Sequence, residues 1–194
     1  MNLVRTVADL LFPPVCFVCE ESVRGALLCP RCWEESRLIE PKGRCIHCFE
    51  LSEHSLCEMC QKDPLLPYPR AAVFEREAPI LTLVDEEADD AVAGFAYYQW
   101  QQLHLPEPDF IIPIHAPGLA RALAKLHQKP SVDLFRVRRP FRGAERWELK
   151  EGLIPEEAIL QLLDTEGDME SLKFASAAIS EAFPKRVHIL SLCI

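Results

Sequence analysis

Apolar positions along this chain fall into two regimes separated by a cysteine-rich stretch. In residues 2–11, Leu3, Val7, Leu10 and Leu11 share one helical face, and Pro13-Pro14 stops that helix. Regular patterning resumes at residue 71. Residues 71–76 (AAVFER) predict a strand, and residues 79–84 a short helix or turn. Residues 89–103 predict a helix with acids in its first turn, Val92, Phe95 and Leu103 inward, and Tyr98 and Trp100 on other faces. Residues 109–115 (DFIIPIH) predict a buried strand. Pro117 then opens a helix that runs to about His127 and groups Leu119, Leu123 and Leu126. Residues 159–163 predict a strand. Residues 168–183 predict a helix with Leu172, Ala175, Ile179 and Phe183 inward. Residues 187–193 predict the last strand, with Cys193 as a small buried residue. Strands alternating with helices predict an α/β fold built on a mostly parallel sheet flanked by helices.

The stretch between the two regimes holds eight of the nine cysteines, all in C-x-x-C pairs: Cys16/Cys19, Cys29/Cys32, Cys45/Cys48 and Cys57/Cys60. A C-x-x-C turn aims two sulfurs at one point, and two turns complete a tetrahedral thiolate cage. Four pairs therefore suit two zinc ions. Pairing can be sequential, first turn with second and third with fourth, or interleaved, first with third and second with fourth. Each four-thiolate site leaves no coordination position open to water, so its zinc is structural. The module is poor in large apolar side chains, and metal binding supplies much of its folding free energy. A disulfide framework is the competing reading. The N-terminus carries Asp9, lacks a small-residue cleavage site and runs into Pro13-Pro14, so no secretory signal is expected and a reducing, cytoplasmic setting favours metal. His47 and His54 lie inside the module as alternative ligands or solvated side chains. A redox or zinc-storage role has only the cysteine content behind it.

The expected organisation is an amphipathic helix at 1–14, a double zinc ribbon at 15–62, a Pro-rich linker at 63–70 and an α/β domain at 71–194. Composition fits that plan: of 194 residues 49% are hydrophobic and 26% charged, which excludes disorder. No apolar run approaches the roughly 18–20 residues of a membrane span. The formal charge of −9 argues against a general polyanion binder, but it is unevenly spread. Residues 121–150 hold nine Lys/Arg against three acids, a local +6, and residues 85–90 (DEEADD) are acidic. The two blocks either solvate opposite faces or neutralise each other, or else the basic one is a phosphate or nucleic-acid patch. Arg136, Arg138, Arg139 and Arg142 would carry such a patch, with Trp147 available to stack on a base of single-stranded DNA.

LLFPPVCFVC at 10–19, LCPRCW at 28–33, CIHC at 45–48, CEMC at 57–60 and IPIH at 112–115 together resemble the ComF (competence protein F) family. The resemblance spans nearly the whole chain and is specific through about residue 75. It implies a double zinc ribbon joined to a type I phosphoribosyltransferase-like domain. It also implies use of 5-phosphoribosyl diphosphate with magnesium, and an association with DNA uptake during natural transformation. In such a domain two adjacent acids at a strand end hold the ribose hydroxyls, and a small-residue loop opening a helix holds the 5′-phosphate.

Carried onto this chain, the acid pair falls on Leu163 and Asp164, and the loop on residues 167–171, where Ser171 keeps the matching hydroxyl. Sliding Gly167 onto the loop glycine moves the pair to Gln161 and Leu162. Asp164, Gly167 and Ser171 are the ligand-contact candidates. Glu166, Asp168 and Glu170 stand in or beside the loop, where carboxylates repel phosphate. Arg121 is the one remnant of the Arg-rich segment that follows the IPIH strand, and the expected basic residue near Val84 is replaced by Asp85 and Glu86. The resemblance with these departures implies a scaffold or binding protein. No catalytic residue is assigned, and 5-phosphoribosyl diphosphate is not an expected ligand. The alternative is an active transferase with Arg121 on the diphosphate.

Overall fold

The computed structural model describes residues 14–23, 28–75, 78, 81, 89–138, 146–150 and 157–194, with 137, 138, 146 and 147 as backbone only. The expected N-terminal helix at 2–11 and the acidic residues 85–88 lie outside the described residues, as does most of the predicted turn at 79–84.

The cysteine module consists of two similar halves. In the first, Cys16 N donates to Glu21 O (2.8 Å), Glu20 N donates to Cys16 O (2.9 Å), and Val15 bridges Ser22. In the second, Cys45 N donates to Glu50 O (2.8 Å), Phe49 N donates to Cys45 O (2.9 Å), and Arg44 bridges Leu51. Glu20 and Phe49 take the left-handed backbone that closes each turn, at φ 59° and 67°. The other pair of each half starts a short helix: α1 (Pro30–Glu35) is capped by Cys29 and α2 (Glu58–Lys62) by Cys57. In both, the cap sulfur accepts the backbone N–H three residues on, at 3.5 and 3.4 Å.

The rest of the chain gives β1 (Arg70–Phe74), α3 (Asp89–Gln102), β2 (Phe110–Pro113), α4 (Pro117–His127), β3 (Phe135–Arg138), β4 (Arg146–Leu149), β5 (Ile159–Asp164), α5 (Met169–Ser180) and β6 (Arg186–Cys193). The main sheet has the order β1-β6-β5-β2, with every pairing parallel. β5 and β6 occupy the centre and are buried almost throughout, as parallel strands covered on both faces must be. α3 and α4 cover one face through Val92, Ala96, Trp100, Leu119 and Leu123. α5 covers the other through Leu172, Ala175 and Ile179.

Several expectations need correction. Trp100 is fully buried, because α3 turns Val92, Ala93, Ala96, Gln99 and Trp100 inward; the small residues let the helix come close. Phe95, half-buried, packs against the same cluster as expected, 5.2 Å from Trp33 and 5.6 Å from Phe74 between ring centres. Leu126 is exposed, since α4 buries Leu123, Ala124 and His127 around it. Phe183 is also exposed: α5 stops at Ser180, and Phe183 follows in a left-handed conformation (φ 48°), outside the helical period. β3 and β4 form an antiparallel ribbon that was not among the expected elements, although FRVR and RWEL each alternate apolar and polar residues.

The module and the sheet share one apolar cluster, in which Cys16, Val23, Leu28 and Ile39 meet Phe74 and Ala72. Leu38 bridges Phe74, and Ile39 N donates to Val73 O at 2.9 Å. The Gln99 side chain, buried in α3, donates to Ile39 O at 2.8 Å and to Ala72 O at 3.3 Å. Residues 63–70 are fastened as well: Leu66 is buried, Tyr68 Oη meets Ser180 Oγ at 2.8 Å, and Arg70 N donates to His47 O at 2.7 Å.

Candidate metal centres and the loop after β5

The eight paired cysteines gather into two groups: Cys16, Cys19, Cys29 and Cys32, and Cys45, Cys48, Cys57 and Cys60. Within each group the four sulfurs lie within 4.8 Å of one another. Pairing in space is therefore sequential, not interleaved. Cys19 and Cys29 sulfurs are 3.6 Å apart, and Cys48 and Cys57 sulfurs 3.7 Å. Zinc–sulfur bonds of about 2.3 Å place the corners of a tetrahedron about 3.8 Å apart, so both groups fit a tetrahedral ion without rearrangement. His47 Nδ1 lies 3.9 Å from Cys60 Sγ, next to the second group but outside its four sulfurs.

The electrostatics point the same way. Burial opposes ionisation of Cys16, yet the N–H groups of Cys19, Cys29 and Val18 turned on its sulfur outweigh burial and lower it to about 6. Cys45 is likewise lowered to about 6 against burial by Cys48, Cys57 and His47 N–H groups. In the same cages burial and the neighbouring sulfurs push Cys32 up to about 12, and burial is the largest cause raising Cys48 to about 11. In each cage one thiol ionises readily while Cys32 or Cys48 resists, a conflict that a dication at the centre would remove.

The second candidate site follows β5. Asp164 ends that strand fully buried, and its register partner on β6 is Ser191. The chain then turns through Gly167, whose φ of 68° suits a residue without a Cβ, into α5. Asp164 Oδ1 accepts from Glu166 N at 3.2 Å, and Oδ2 accepts from Gly167 N at 3.1 Å and from Ser191 Oγ at 2.8 Å. Ser191 Oγ in turn accepts from Arg70 Nε at 2.8 Å, and Arg70 Nη2 donates to Cys193 O at 3.1 Å. Three of the four sheet strands are thus joined to the loop by one buried polar chain. One turn further, Asp168 caps α5 and accepts from Glu170 N (3.1 Å) and Ser171 N (2.9 Å). Bonding to the Ser171 side chain first, then to these N–H groups, holds the Asp168 carboxyl below its ordinary range.

A phosphate loop works by presenting unpaired backbone N–H groups to an anion. Here Glu166, Gly167, Glu170 and Ser171 all give theirs to the chain's own carboxylates. His115, at the end of β2, faces the same loop, with Nε2 3.9 Å from Glu166 Oε2. The predicted residues Asp164, Gly167 and Ser171 therefore share one turn, but each is engaged internally. Ser191, which bonds Asp164, and Arg70, which bonds Ser191, were missed by sequence reasoning. Nothing in their local pattern distinguishes them from a linker end and a strand serine.

Of the basic candidates, Arg136 is exposed on β3 opposite Glu148 in register, and the Arg138 backbone stands opposite Arg146. Arg139 and Arg142 lie outside the described residues. Arg121 lies on α4 beside Lys125 and Lys129 along a shallow groove. Among the described residues no helix is long and apolar enough to cross a membrane.

Residues 7–61 match the double zinc ribbon domain family. The chain thus carries an N-terminal double zinc ribbon and an α/β unit on a parallel sheet. It is similar in structure to purine phosphoribosyltransferase from Pyrococcus horikoshii Ot3, with 13% identity and a TM-score of 0.42, over 63% of this chain and 77% of that one. It is also similar to hypoxanthine-guanine phosphoribosyl transferase of L. donovani, with 15% identity and a TM-score of 0.39, over 58% of this chain and 68% of that one. No curated protein matches it in sequence.

Proposed function

We propose that this chain is a cytoplasmic, ComF-like protein holding two structural zinc ions, one per four-cysteine cage. Its phosphoribosyltransferase-like unit does not turn over 5-phosphoribosyl diphosphate, and it acts as a scaffold or binding protein in DNA uptake during natural transformation. One observation carries the non-catalytic reading: the N–H groups that would cradle a sugar phosphate are bonded to Asp164 and Asp168. An incoming phosphate would have to displace two carboxylates, one of them fully buried, while repelled by Glu166 and Glu170. The zinc reading rests on eight converging thiols with sulfur spacings near the tetrahedral edge.

Isothermal titration of the zinc-loaded chain with 5-phosphoribosyl diphosphate and magnesium tests the central claim. No heat is expected, and saturable binding at micromolar ligand would restore the active transferase, with Asp164, Gly167 and Ser171 as its contacts. The nucleic-acid part rests on the basic segment around Arg136. Labelled single-stranded DNA should bind at low salt and weaken when Arg136, Arg138, Arg139 and Arg142 are replaced by Ala. Binding that ignores those replacements would remove DNA from the role.

A further inference from the structure

The two cages are chemically alike and differ in access. In the first, Cys16, Cys29 and Cys32 are buried within the main apolar cluster. Its one partly exposed sulfur is Cys19. In the second, only Cys45 is buried, while Cys48, Cys57 and Cys60 are partly exposed. Those three also line a cleft of about 730 Å³ between the ribbon and the sheet unit, together with Leu51, Met59 and Leu65. Such a volume admits a small molecule readily. Thiol reactivity follows access as well as thiolate character, and metal exchange needs an entry path for the competing ligand.

We propose that the second cage is a site of zinc exchange and thiol oxidation, and that the first is a permanent structural site. The proposal rests on the zinc reading above. With hydrogen peroxide as oxidant, a partly exposed thiolate, Cys48 or Cys57, attacks one peroxide oxygen. The O–O bond breaks, hydroxide leaves, and a sulfenic acid forms. The other thiolate, 3.7 Å away, attacks that sulfur; the S–S bond forms and a second hydroxide leaves. Two electrons pass from sulfur to oxygen, and two solvent protons convert both hydroxides to water. The cage then retains two thiolates, too few to hold the ion, and zinc departs into the cleft.

Elemental analysis of the purified chain first tests the zinc reading: two zinc per chain is expected, and absence of zinc overturns that reading itself. The loaded full-length chain is then challenged with a chelating metallochromic indicator, and separately with hydrogen peroxide. One equivalent of zinc should leave at least about tenfold faster than the other. Alkylation of the protein partly released by the indicator, mapped by mass spectrometry, should fall on Cys48, Cys57 and Cys60 before Cys16, Cys29 and Cys32; after peroxide, Cys48 and Cys57 should instead be recovered as a disulfide. Leu51→Trp, at an exposed cleft residue, should slow only the fast phase by filling the entry path. Equal release rates, first labelling of the first cage, or a fast phase indifferent to Leu51→Trp would each overturn the proposal while leaving two bound ions in place.

Discussion

Replacing Asp164 tests the buried polar chain most directly. Asp164→Ala removes the acceptor for Glu166 N, Gly167 N and Ser191 Oγ at one stroke. Each buried donor left without a partner costs about 1–3 kcal/mol. Glu166 is exposed, so its N–H can find water; Gly167 N and the Ser191 hydroxyl are buried and pay in full. Together these give a destabilisation of about 3–5 kcal/mol. Asp164→Asn keeps the shape and one acceptor oxygen, so about half of that is expected. Urea unfolding of the zinc-loaded chain, followed by fluorescence of the tryptophans, including the fully buried Trp100, reads the loss as a fall in midpoint at unchanged slope. A loss below about 0.5 kcal/mol for Asp164→Ala, the size of an ordinary surface change, would mean that the loop N–H groups do not depend on this carboxylate. The proposal that these N–H groups are closed to a phosphate would then fail.

Ile39→Ala should cost about 2–4 kcal/mol, because Ile39 is buried where the ribbon meets β1; a cost typical of an exposed residue would separate ribbon and sheet energetically. Gln99→Leu leaves the Ile39 carbonyl without its side-chain donor and should destabilise by about 1–2 kcal/mol despite added apolar volume, measurable by the same unfolding assay. Glu107 is held below its ordinary 4.5 by its hydrogen bond to His127, so its contribution is present above that value and lost as pH falls through the lowered one. Glu107→Gln should flatten that part of the stability–pH profile by only a few tenths of a kcal/mol, since the carboxyl is half exposed. Removing zinc with excess chelator should unfold the ribbon and lower the stability of the sheet unit with it; a sheet transition unmoved by chelation would contradict the shared core.

Much of the architecture was legible because it rests on local signals. Pro117 marked the start of α4, and unbroken apolar runs marked β5 and β6 as strands covered on both faces. The cysteine pairs declared their chemistry through spacing alone, but left two pairings open; only the fold brings consecutive turns together. What escaped depends on neighbours distant in sequence. Trp100 was assigned to an outer face because large apolar residues at 92, 95 and 103 suggested another stripe, whereas alanines set how near α3 lies to the sheet. The β3–β4 ribbon does alternate apolar and polar residues (FRVR, RWEL), but over four positions in each strand, and its arginines drew a reading by charge instead. Asp164 was recognised as half of an acid pair, but its side-chain partner is Ser191 of β6, which Arg70 of β1 holds in turn. The sequence warned of carboxylates near the loop through their charge. Their hydrogen bonding to the loop backbone needed coordinates.

Residues 38 and 39 lie along the side of β1 that β6 does not occupy. A fragment trimmed to begin after the ribbon would strip that cover. It would present an open strand edge beside the fully buried Phe74 to whatever extended backbone came near, most often another copy of itself. During synthesis the ribbon segment, being N-terminal to β1, leaves the ribosome before it. The two halves are thus bound by aggregation risk as well as by contact energy.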